Sequence, residues 1–327
     1  MKRSVLSLLF ATALIAAPGP AAKLGPMRAE GSVDAMGSTF SVVIYGEDRD
    51  RLQAIVAQAL EEARRLDHLL SNYLPDSEWS EVNRKAADQP VPVSRELFQL
   101  LSACVEYSKN SEGAFDISVG PLMKVWGFYK GSGHLPHRAE VRGALNRVGY
   151  RNILLDENAQ TVRFAQKGVE IDPGGVGKGY AVDKVAEILR SNGIASGLIS
   201  AAGSSIFALG APPGEPGWRL NIKDPKNQDK SVASVTLKDE SLSTSGNYEK
   251  YFLAEGKLYS HIMDPRTGFP SQGMLSTSVV APRTLDSEVW AKPYYILGRQ
   301  WAALHKKKNF RIFFCEDRAG VPCAWLQ

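Results

Sequence analysis

The stretch Glu170–Leu189 reads EIDPGGVGKGYAVDKVAEIL, an apolar-flanked acid followed by a glycine-rich turn and a helical pattern. Apolar residues recur at helical spacing after Tyr180, which predicts a helix from the loop to about Asn192. Backbone N–H groups at such a helix N-terminus can bind an anion, and Lys178 adds a positive charge there. The loop therefore suggests a phosphate-bearing ligand. It matches neither common nucleotide fingerprint, and the alternative is a tight strand-to-helix turn that needs glycine for positive φ.

The composition is that of an ordinary soluble globular protein. The chain has 327 residues, of which 44% are hydrophobic and 23% are charged, with a formal net charge of +4. So small a charge, with no basic run interleaved with aromatic residues, gives no argument for nucleic-acid binding. Helical and strand patterns are mixed rather than strictly alternating, which predicts an α+β fold. No linker divides residues 23–327, so we expect one domain.

Residues 1–22 have the pattern of a secretory signal peptide. Lys2 and Arg3 form its charged start, and Val5–Ala17 is an apolar run too short to span a bilayer. We expect cleavage near 17–22 and a soluble, exported protein in the periplasm. No cysteine is present there to carry a lipid anchor, and no later run is apolar enough for a transmembrane segment.

The three cysteines fall into two groups. Cys104 lies in an apolar helical pattern and is expected in the core. Cys315 and Cys323 flank a short polar turn, where a hairpin disulfide is compatible with export. The sequence leaves this pairing open. A metal site on the pair is disfavoured because no histidine or third thiol is near in sequence.

Several elements follow from periodicity alone. Leu285–Leu297 is predicted as a helix that Pro293 either kinks or begins, and residues 129–140 are predicted as a loop. The other main predictions are a strand at Phe40–Tyr45, helices at Arg51–Leu70 and Arg95–Asn110, and a strand pair at Tyr150–Leu155 and Thr161–Phe164.

Four polar clusters interrupt these apolar elements, at Met36–Thr39, Asn72–Ser77, Gly113–Asp116 and His261–Gly268. Each is compatible with a simple turn, but loops on a rigid scaffold commonly assemble a ligand site. His261 is either a hydrogen-bonded residue at a strand end or a general base near neutral pH.

Aromatic and acidic residues in these loops have two interpretations. Tyr73 and Phe115 are candidate faces on which a planar ring could stack. Asp116 and Asp172 could accept hydrogen bonds from a ligand or lie near a metal. Capping of their own turns explains both carboxylates equally well.

Taken together, the ordered motifs resemble the FAD:protein FMN transferases of the ApbE family, over nearly all of the chain after the signal. The matching segments are M-G-S-T-F at Met36–Phe40, L-S-N-Y-x-P-D-S-E at Leu70–Glu78, G-A-F-D-I-S-V-G-P-L at Gly113–Leu122, W-G-F at Trp126–Phe128, D-P-G-G-V-G-K-G-Y-A-V-D at Asp172–Asp183, S-T-S-G-N-Y at Ser243–Tyr248 and H-I-M-D-P-R-T-G at His261–Gly268.

The resemblance implies an ApbE-like flavin transferase fold and an exported, Mg²⁺-dependent enzyme. Such enzymes cleave FAD, attach the FMN phosphate to a Thr or Ser hydroxyl of a flavoprotein partner, and release AMP. The position of His261 looks like the base for the acceptor hydroxyl. The flavin and adenine contacts of the family carry over to Met36, Tyr73, Ala114, Phe115, Asp116, Gly174, Lys178 and Ile262.

The predicted metal-site helix departs from the family pattern A-D-A-x-x-T-A. Glu288 stands at the aspartate position and Lys292 at the threonine position, while the third family ligand, a backbone carbonyl, matches Gly177. A charged lysine cannot bind Mg²⁺. Glu288 and Lys292 are four residues apart on one helix and are expected to form an ion pair, or else the Lys292 ammonium takes the place of the metal. The strand motif G-G-[DN] is likewise changed, to Gly203-Ser204-Ser205.

These departures keep two rival functions open. One is a non-catalytic FAD-binding protein that has lost the metal site. The other is an FAD pyrophosphatase that releases FMN and AMP to water without a protein acceptor.

Overall fold

A computed structural model describes residues 25–131, 133–320 and 322–327, so the predicted signal peptide lies outside the described residues. The helices are α1 (Arg49–Leu70), α2 (Glu78–Lys85), α3 (Arg95–Asn110), α4 (Gly120–Val125), α5 (Arg138–Leu145), α6 (Gly177–Ser191) and α7 (Thr284–His305). The strands are β1 (Met27–Ala35), β2 (Ser38–Gly46), β3 (Val91–Pro92), β4 (Ile153–Asp156), β5 (Thr161–Phe164), β6 (Ser196–Ala201), β7 (Ser205–Leu209), β8 (Trp218–Asp224), β9 (Asn227–Leu237), β10 (Glu240–Gly246), β11 (Tyr251–Ala254), β12 (Lys257–Ser260), β13 (Met263–Asp264), β14 (Phe269–Pro270), β15 (Met274–Ala281), β16 (Arg311–Glu316) and β17 (Ala324–Trp325).

One antiparallel sheet forms the centre of the fold. Among the described residues it has eight strands, in the order β1-β2-β6-β7-β10-β15-β16-β17. Alternate residues of β2, namely Phe40, Val42 and Ile44, are buried, as expected for a strand with one face on the core. The other strands form small sheets of two or three strands at the periphery. The predicted α+β architecture is confirmed.

A helical layer made by α1, α6 and α7 packs against this sheet. Helix α1 turns an apolar stripe inward that includes Leu52, Ile55, Ala59 and Leu66. It begins at Arg49, two residues before the predicted start, because the Asp48 side chain accepts a hydrogen bond from the backbone N–H of Arg51 at 3.0 Å and caps the helix.

Helices α6 and α7 are joined by two carboxylates, one on each helix. Each carboxylate accepts hydrogen bonds from backbone N–H groups in the first turn of the other helix. Asp183 on α6 accepts from the backbone N–H groups of Thr284 at 2.7 Å and Leu285 at 3.0 Å, so it caps α7. Glu288 on α7 accepts in turn from the backbone N–H of Gly179 on α6. A Cβ atom at position 179 would lie 2.6 Å from Glu288 Oε2 and 2.7 Å from the carbonyl oxygen of Thr284. Glycine is therefore required for the two helices to approach so closely.

Several sequence expectations need correction. The predicted loop 129–140 ends in helix α5, and α2 was not predicted at all. Pro293 neither begins nor breaks its helix, because α7 starts at Thr284 and its non-helical residue is Gly298, at φ 78° and ψ 180°. The strand pair is confirmed as β4 and β5, but its first residues, 150–152, form a turn of 3₁₀ helix.

The structure places Cys104 in the core, as predicted, and settles the pairing of the other two cysteines. Cys104 is fully buried on α3, and Cys315 and Cys323 form a disulfide, with Cα atoms 4.2 Å apart, between β16 and β17. The cluster Lys306–Lys308 follows the end of α7, where the ammonium of Lys307 lies 4.5 Å from the ring centroid of Trp290. No helix of the described residues has the length and apolar character needed to cross a bilayer.

Replacing Gly179 by alanine tests the α6–α7 contact. The added methyl group meets a carboxylate and a backbone carbonyl, so we expect Gly179→Ala to lower the free energy of unfolding by about 1–3 kcal/mol. Gly143→Ala is the matched control, because that helical glycine has nothing within 4 Å of a Cβ atom. It should be neutral or stabilising by about 0.4–1 kcal/mol. Chemical denaturation measures both, and equal stabilities for the two variants would contradict the packing argument.

Candidate active site

The glycine loop, residues 173–177, runs into the N-terminus of α6, and the segment before it is held by side chains of α2. Trp79 Nε1 and Asn83 Nδ2 donate to the carbonyl oxygen of Ile171 at 3.0 and 2.9 Å. The N–H of Ile171 donates back to Asn83 Oδ1 at 2.8 Å. Sequence reasoning missed these anchors because α2 itself was missed. The sequence does contain a helix-start signal for α2. Ser77 caps the helix through its hydroxyl, and the acidic residues Glu78 and Glu81 lie in the first turn.

Asp172 ties three loops together beneath the glycine loop. Its carboxylate accepts from the hydroxyl of Tyr129 at 2.6 Å, from Asn72 Nδ2 at 3.0 Å and from the N–H of Gly174 at 2.8 Å. Burial raises the pKa of this carboxyl group, and the three donors counteract that shift. The carboxylate therefore shapes the loop, as the turn-capping interpretation predicted.

Asp116 has a similar structural engagement in the neighbouring turn. The carboxylate accepts from the N–H and hydroxyl of Ser118 at 2.8 and 2.7 Å and from the N–H of Tyr150 at 2.6 Å. Burial raises its pKa, and these hydrogen bonds oppose the shift. Because it already accepts three hydrogen bonds, this side chain mainly connects its own turn to the backbone at residue 150.

The two aromatic candidates differ in exposure. The ring of Phe115 is buried, stands edge-on to Tyr107 at 6.2 Å, and packs against the glycine loop at Gly175. Its faces are thus largely covered by the protein, as is the neighbouring Ala114. Tyr73 is 70% exposed and meets Tyr129 edge to face at 6.3 Å, so it does offer a free ring beside Asp172.

Met36 contacts the end of the glycine loop. Its backbone is left-handed, at φ 52°, and its N–H donates to Asp67 Oδ1 at 2.9 Å. Its sulfur packs against Gly177, the first residue of α6. A cleft of about 450 Å³ adjoins this turn. A larger groove of about 830 Å³ lies elsewhere, between α3 and the hairpin of β4 and β5, and contains none of the predicted site residues.

Positive charge is concentrated around the loop. The ammonium of Lys178 donates to the hydroxyl of Ser204 at 2.6 Å. The ammonium of Lys292 donates to the carbonyl oxygen of Glu288 at 3.0 Å. Burial lowers the pKa of His261, and the positive charges of Lys250, Lys292 and Lys178 lower it further. Most backbone N–H groups of the loop are bonded within the protein, so the two lysine ammonium groups are the donors that suit a polyanionic ligand.

His261 has one ring nitrogen bound and one available. Nδ1 lies 3.1 Å from the carbonyl oxygen of Lys250, which can only accept, so Nδ1 carries the proton and Nε2 has a free lone pair. Burial, followed by the nearby lysines, lowers the pKa of the imidazole to about 4. The side chain is therefore neutral at pH 7 and able to accept a proton through Nε2.

The rest of the His261–Gly268 segment holds this histidine in place. Ile262 is buried, and its carbonyl oxygen accepts from the N–H of Ser271 at 2.9 Å. The guanidinium of Arg266 donates two hydrogen bonds to the carboxylate of Asp264, from Nε to Oδ1 at 2.9 Å and from Nη2 to Oδ2 at 2.8 Å. Trp126 Nε1 donates to the carbonyl oxygen of Gly268 at 2.9 Å, which joins the W-G-F motif to the turn.

The residues at the predicted metal positions do not fit Mg²⁺, which prefers about six oxygen ligands. One oxygen of the Glu288 carboxylate, Oε2, already accepts the N–H of Gly179, and a lysine stands where a hydroxyl would be needed. Across the described ranges, no group of three or more His, Cys, Asp or Glu side chains could hold a metal ion. The predicted Glu288–Lys292 ion pair is wrong as well, because Lys292 binds the carbonyl oxygen of Glu288 instead.

Comparison with known proteins is consistent across sequence and structure. A profile of the ApbE family matches residues 36–314. The chain is 32% identical over 293 residues to an FAD:protein FMN transferase of Klebsiella pneumoniae, covering 88% of each chain. It is 32% identical over 282 residues to one of Treponema pallidum, covering 80% of this chain and 77% of that protein.

Solved structures give the same result. An ApbE protein of Thermotoga maritima superposes with a TM-score of 0.83 at 27% identity, over 91% of this chain and 96% of that one. A flavinyl transferase ApbE of Pseudomonas stutzeri, in its apo form, superposes with a TM-score of 0.81 at 26% identity, over 92% and 95%.

Titration of His261 tests the electrostatics of the site. We expect the imidazole to titrate with a pKa of about 4 in the free protein. The chemical shift of its Cε1 proton, recorded by NMR across the pH range, measures this value. Lys292→Met and Lys178→Met should each raise this pKa, because each removes a nearby positive charge. A value near 6.5 that neither substitution changes would show that the lysines lie too far away to act on the imidazole.

Proposed function

Because the chain belongs to the ApbE family, we propose that it transfers FMN from FAD to a Thr or Ser hydroxyl of a flavoprotein partner and releases AMP. One observation carries this proposal for the described site. Lys178 lies in the first turn of α6, the stem of Lys292 crosses the glycine loop at Gly175, and the charges of both lysines act on the imidazole of His261. Such a site suits the diphosphate of FAD and a neutral base suits the acceptor hydroxyl.

The proposed reaction is a phosphoryl transfer. The acceptor hydroxyl oxygen attacks the phosphorus on the FMN side, and its proton passes to Nε2 of His261. The P–O bond to the AMP phosphate breaks, and AMP leaves with the bonding electrons. The ammonium of Lys178, which among the described residues donates only to the hydroxyl of Ser204, stabilises the charge that develops on the phosphate oxygens.

FAD recognition is proposed for the residues that surround the loop. Tyr73 supplies an exposed ring for stacking on a base or flavin. Met36 and Gly174 supply backbone surface, whereas the buried Ala114 and Ile262 support the site from within the protein. Phe115 and Asp116 are proposed to act mainly by supporting this surface, because both are buried and already bonded within the protein.

Mg²⁺ is expected from the family resemblance, with Gly177, Glu288 and Lys292 at the ligand positions. The chemistry of those groups argues against it, since one is a cation and the carboxylate is already engaged. No step of the proposed reaction therefore passes through a metal.

Export is part of the proposal. The disulfide between Cys315 and Cys323 supports an oxidising compartment such as the periplasm, where structural disulfides persist. The mature protein would then comprise about residues 23–327, a single flavin transferase domain that meets its acceptor protein outside the cytoplasm.

Transfer is tested with residues 23–327, FAD and a flavin-acceptor protein. We expect a fluorescent acceptor band on a denaturing gel and one AMP per flavin by chromatography. His261→Asn should slow labelling by about 10²- to 10⁴-fold while FAD still binds, because the base is lost but the Nδ1 hydrogen bond can be replaced. His305→Asn, at the far end of α7, is the control.

Two outcomes would contradict the transferase. AMP release without an acceptor, at the same rate as with one, would indicate an FAD pyrophosphatase. Tight binding of FAD with neither AMP nor labelling, across acceptors and with Mg²⁺ present, would indicate a non-catalytic flavin-binding protein.

A further inference from the structure

The position and bonding of Lys292 give it an unusual place in this site. It lies one helical turn after Glu288 on α7, with its side chain partly buried. A Cβ atom on Gly175 would lie 3.2 Å from Lys292 Cε and 3.4 Å from Cδ, so the aliphatic stem crosses directly over the glycine loop. Glycine at position 175 leaves room for this stem.

The ammonium of Lys292 has spare donor capacity. It makes one hydrogen bond, to the carbonyl oxygen of Glu288, and an ammonium group has three protons to donate. Among the described residues, neither Lys292 nor Lys178 has a carboxylate within 4.0 Å of its ammonium group. The two ammonium groups bind a carbonyl oxygen and a hydroxyl instead. Both charges are therefore open to an anion that binds at the loop.

Glu288 does not neutralise Lys292 because its own carboxylate points elsewhere. It accepts the N–H of Gly179 in the first turn of α6 and lies against the backbone of that turn. Burial lowers the pKa of Lys292, the charge of Glu288 opposes that shift in part, and the charge of Lys178 adds to it. A bound polyanion would favour the charged form further.

We propose that the ammonium of Lys292 is the resident cation of this active site, which binds the FAD diphosphate so that binding and transfer need no divalent metal. This proposal rests on the proposed function for its substrate. In the transfer step Lys292 donates a hydrogen bond to a diphosphate oxygen and stabilises the negative charge that the departing AMP acquires.

The role differs from that of a simple structural lysine. A structural lysine would change stability when replaced, whereas a resident cation sets how FAD binding responds to metal. The test is therefore the affinity for FAD, measured by fluorescence and calorimetry, first in EDTA and then in 5 mM MgCl₂. This Mg²⁺ concentration is about a hundredfold above a protein concentration of 50 μM. Circular dichroism melts accompany every variant.

We expect the wild-type chain to bind FAD in EDTA, with a change of less than threefold on adding Mg²⁺. Lys292→Met should weaken FAD binding by about 10- to 100-fold, as expected for a lost charge-assisted hydrogen bond. Lys292→Arg should retain much of the affinity. Lys308→Met, an exposed lysine after the end of α7, is the matched control and should have no effect.

A second variant restores oxygen donors. Glu288→Asp with Lys292→Thr replaces the ammonium by a hydroxyl and shortens the carboxylate, so FAD binding should become dependent on Mg²⁺. Binding of Mn²⁺ alone, followed by electron paramagnetic resonance, should appear in this double variant and be absent from the wild type. This readout is independent of transfer.

The outcomes separate the two proposals. FAD binding or labelling by the wild type that requires Mg²⁺ overturns the role of Lys292 and leaves the transferase intact. Metal-free FAD binding that Lys292→Met abolishes, with no labelling of any acceptor, upholds Lys292 as the cation and overturns the transferase. Wild-type Mn²⁺ binding that Glu288→Ala removes would also overturn the role of Lys292.

Discussion

The exchange of hydrogen bonds between α6 and α7 is the constraint on which the site depends. Asp183 caps α7, Glu288 binds the first turn of α6, and Gly179 leaves the space that both contacts need. The contact fixes where the N-terminus of α6 lies, and with it the glycine loop and its N–H groups. It also fixes the turn of α7 that brings Lys292 over Gly175. One helix crossing thus positions both the glycine loop and a positive charge.

The same constraint determines what Glu288 can do. Its Oε2 atom is committed to the N–H of Gly179, and removing the carboxylate would leave that buried donor without a partner. Around the loop the charges that remain free are cationic, and burial together with these charges keeps His261 neutral at pH 7. The resulting site is positive, preorganised and provided with a base, which are the requirements of phosphoryl transfer from an anionic donor.

Much of this was predictable from sequence, for identifiable reasons. Long amphipathic helices were found within a few residues because their apolar periodicity is strong, and α3 has the predicted bounds. The ordered motifs placed the loop, Lys178 and His261 in one family pattern. Sequence could not show that Glu288 binds Gly179 rather than Lys292, because this choice depends on the packing of two helices over a hundred residues apart. It also missed α2, whose Trp79 and Asn83 anchor Ile171, because that helix is short and mostly polar.

The most direct test of this account is a crystal structure of the mature protein with FAD, grown with Mn²⁺ present. The account predicts the diphosphate over residues 173–177, with Nζ of Lys178 and Lys292 within about 3 Å of its oxygens, as charge-assisted hydrogen bonds require. It also predicts no anomalous Mn²⁺ peak near Glu288. A Mn²⁺ ion bound to Glu288 with Lys292 turned away, or FAD bound at another place on the fold, would contradict it.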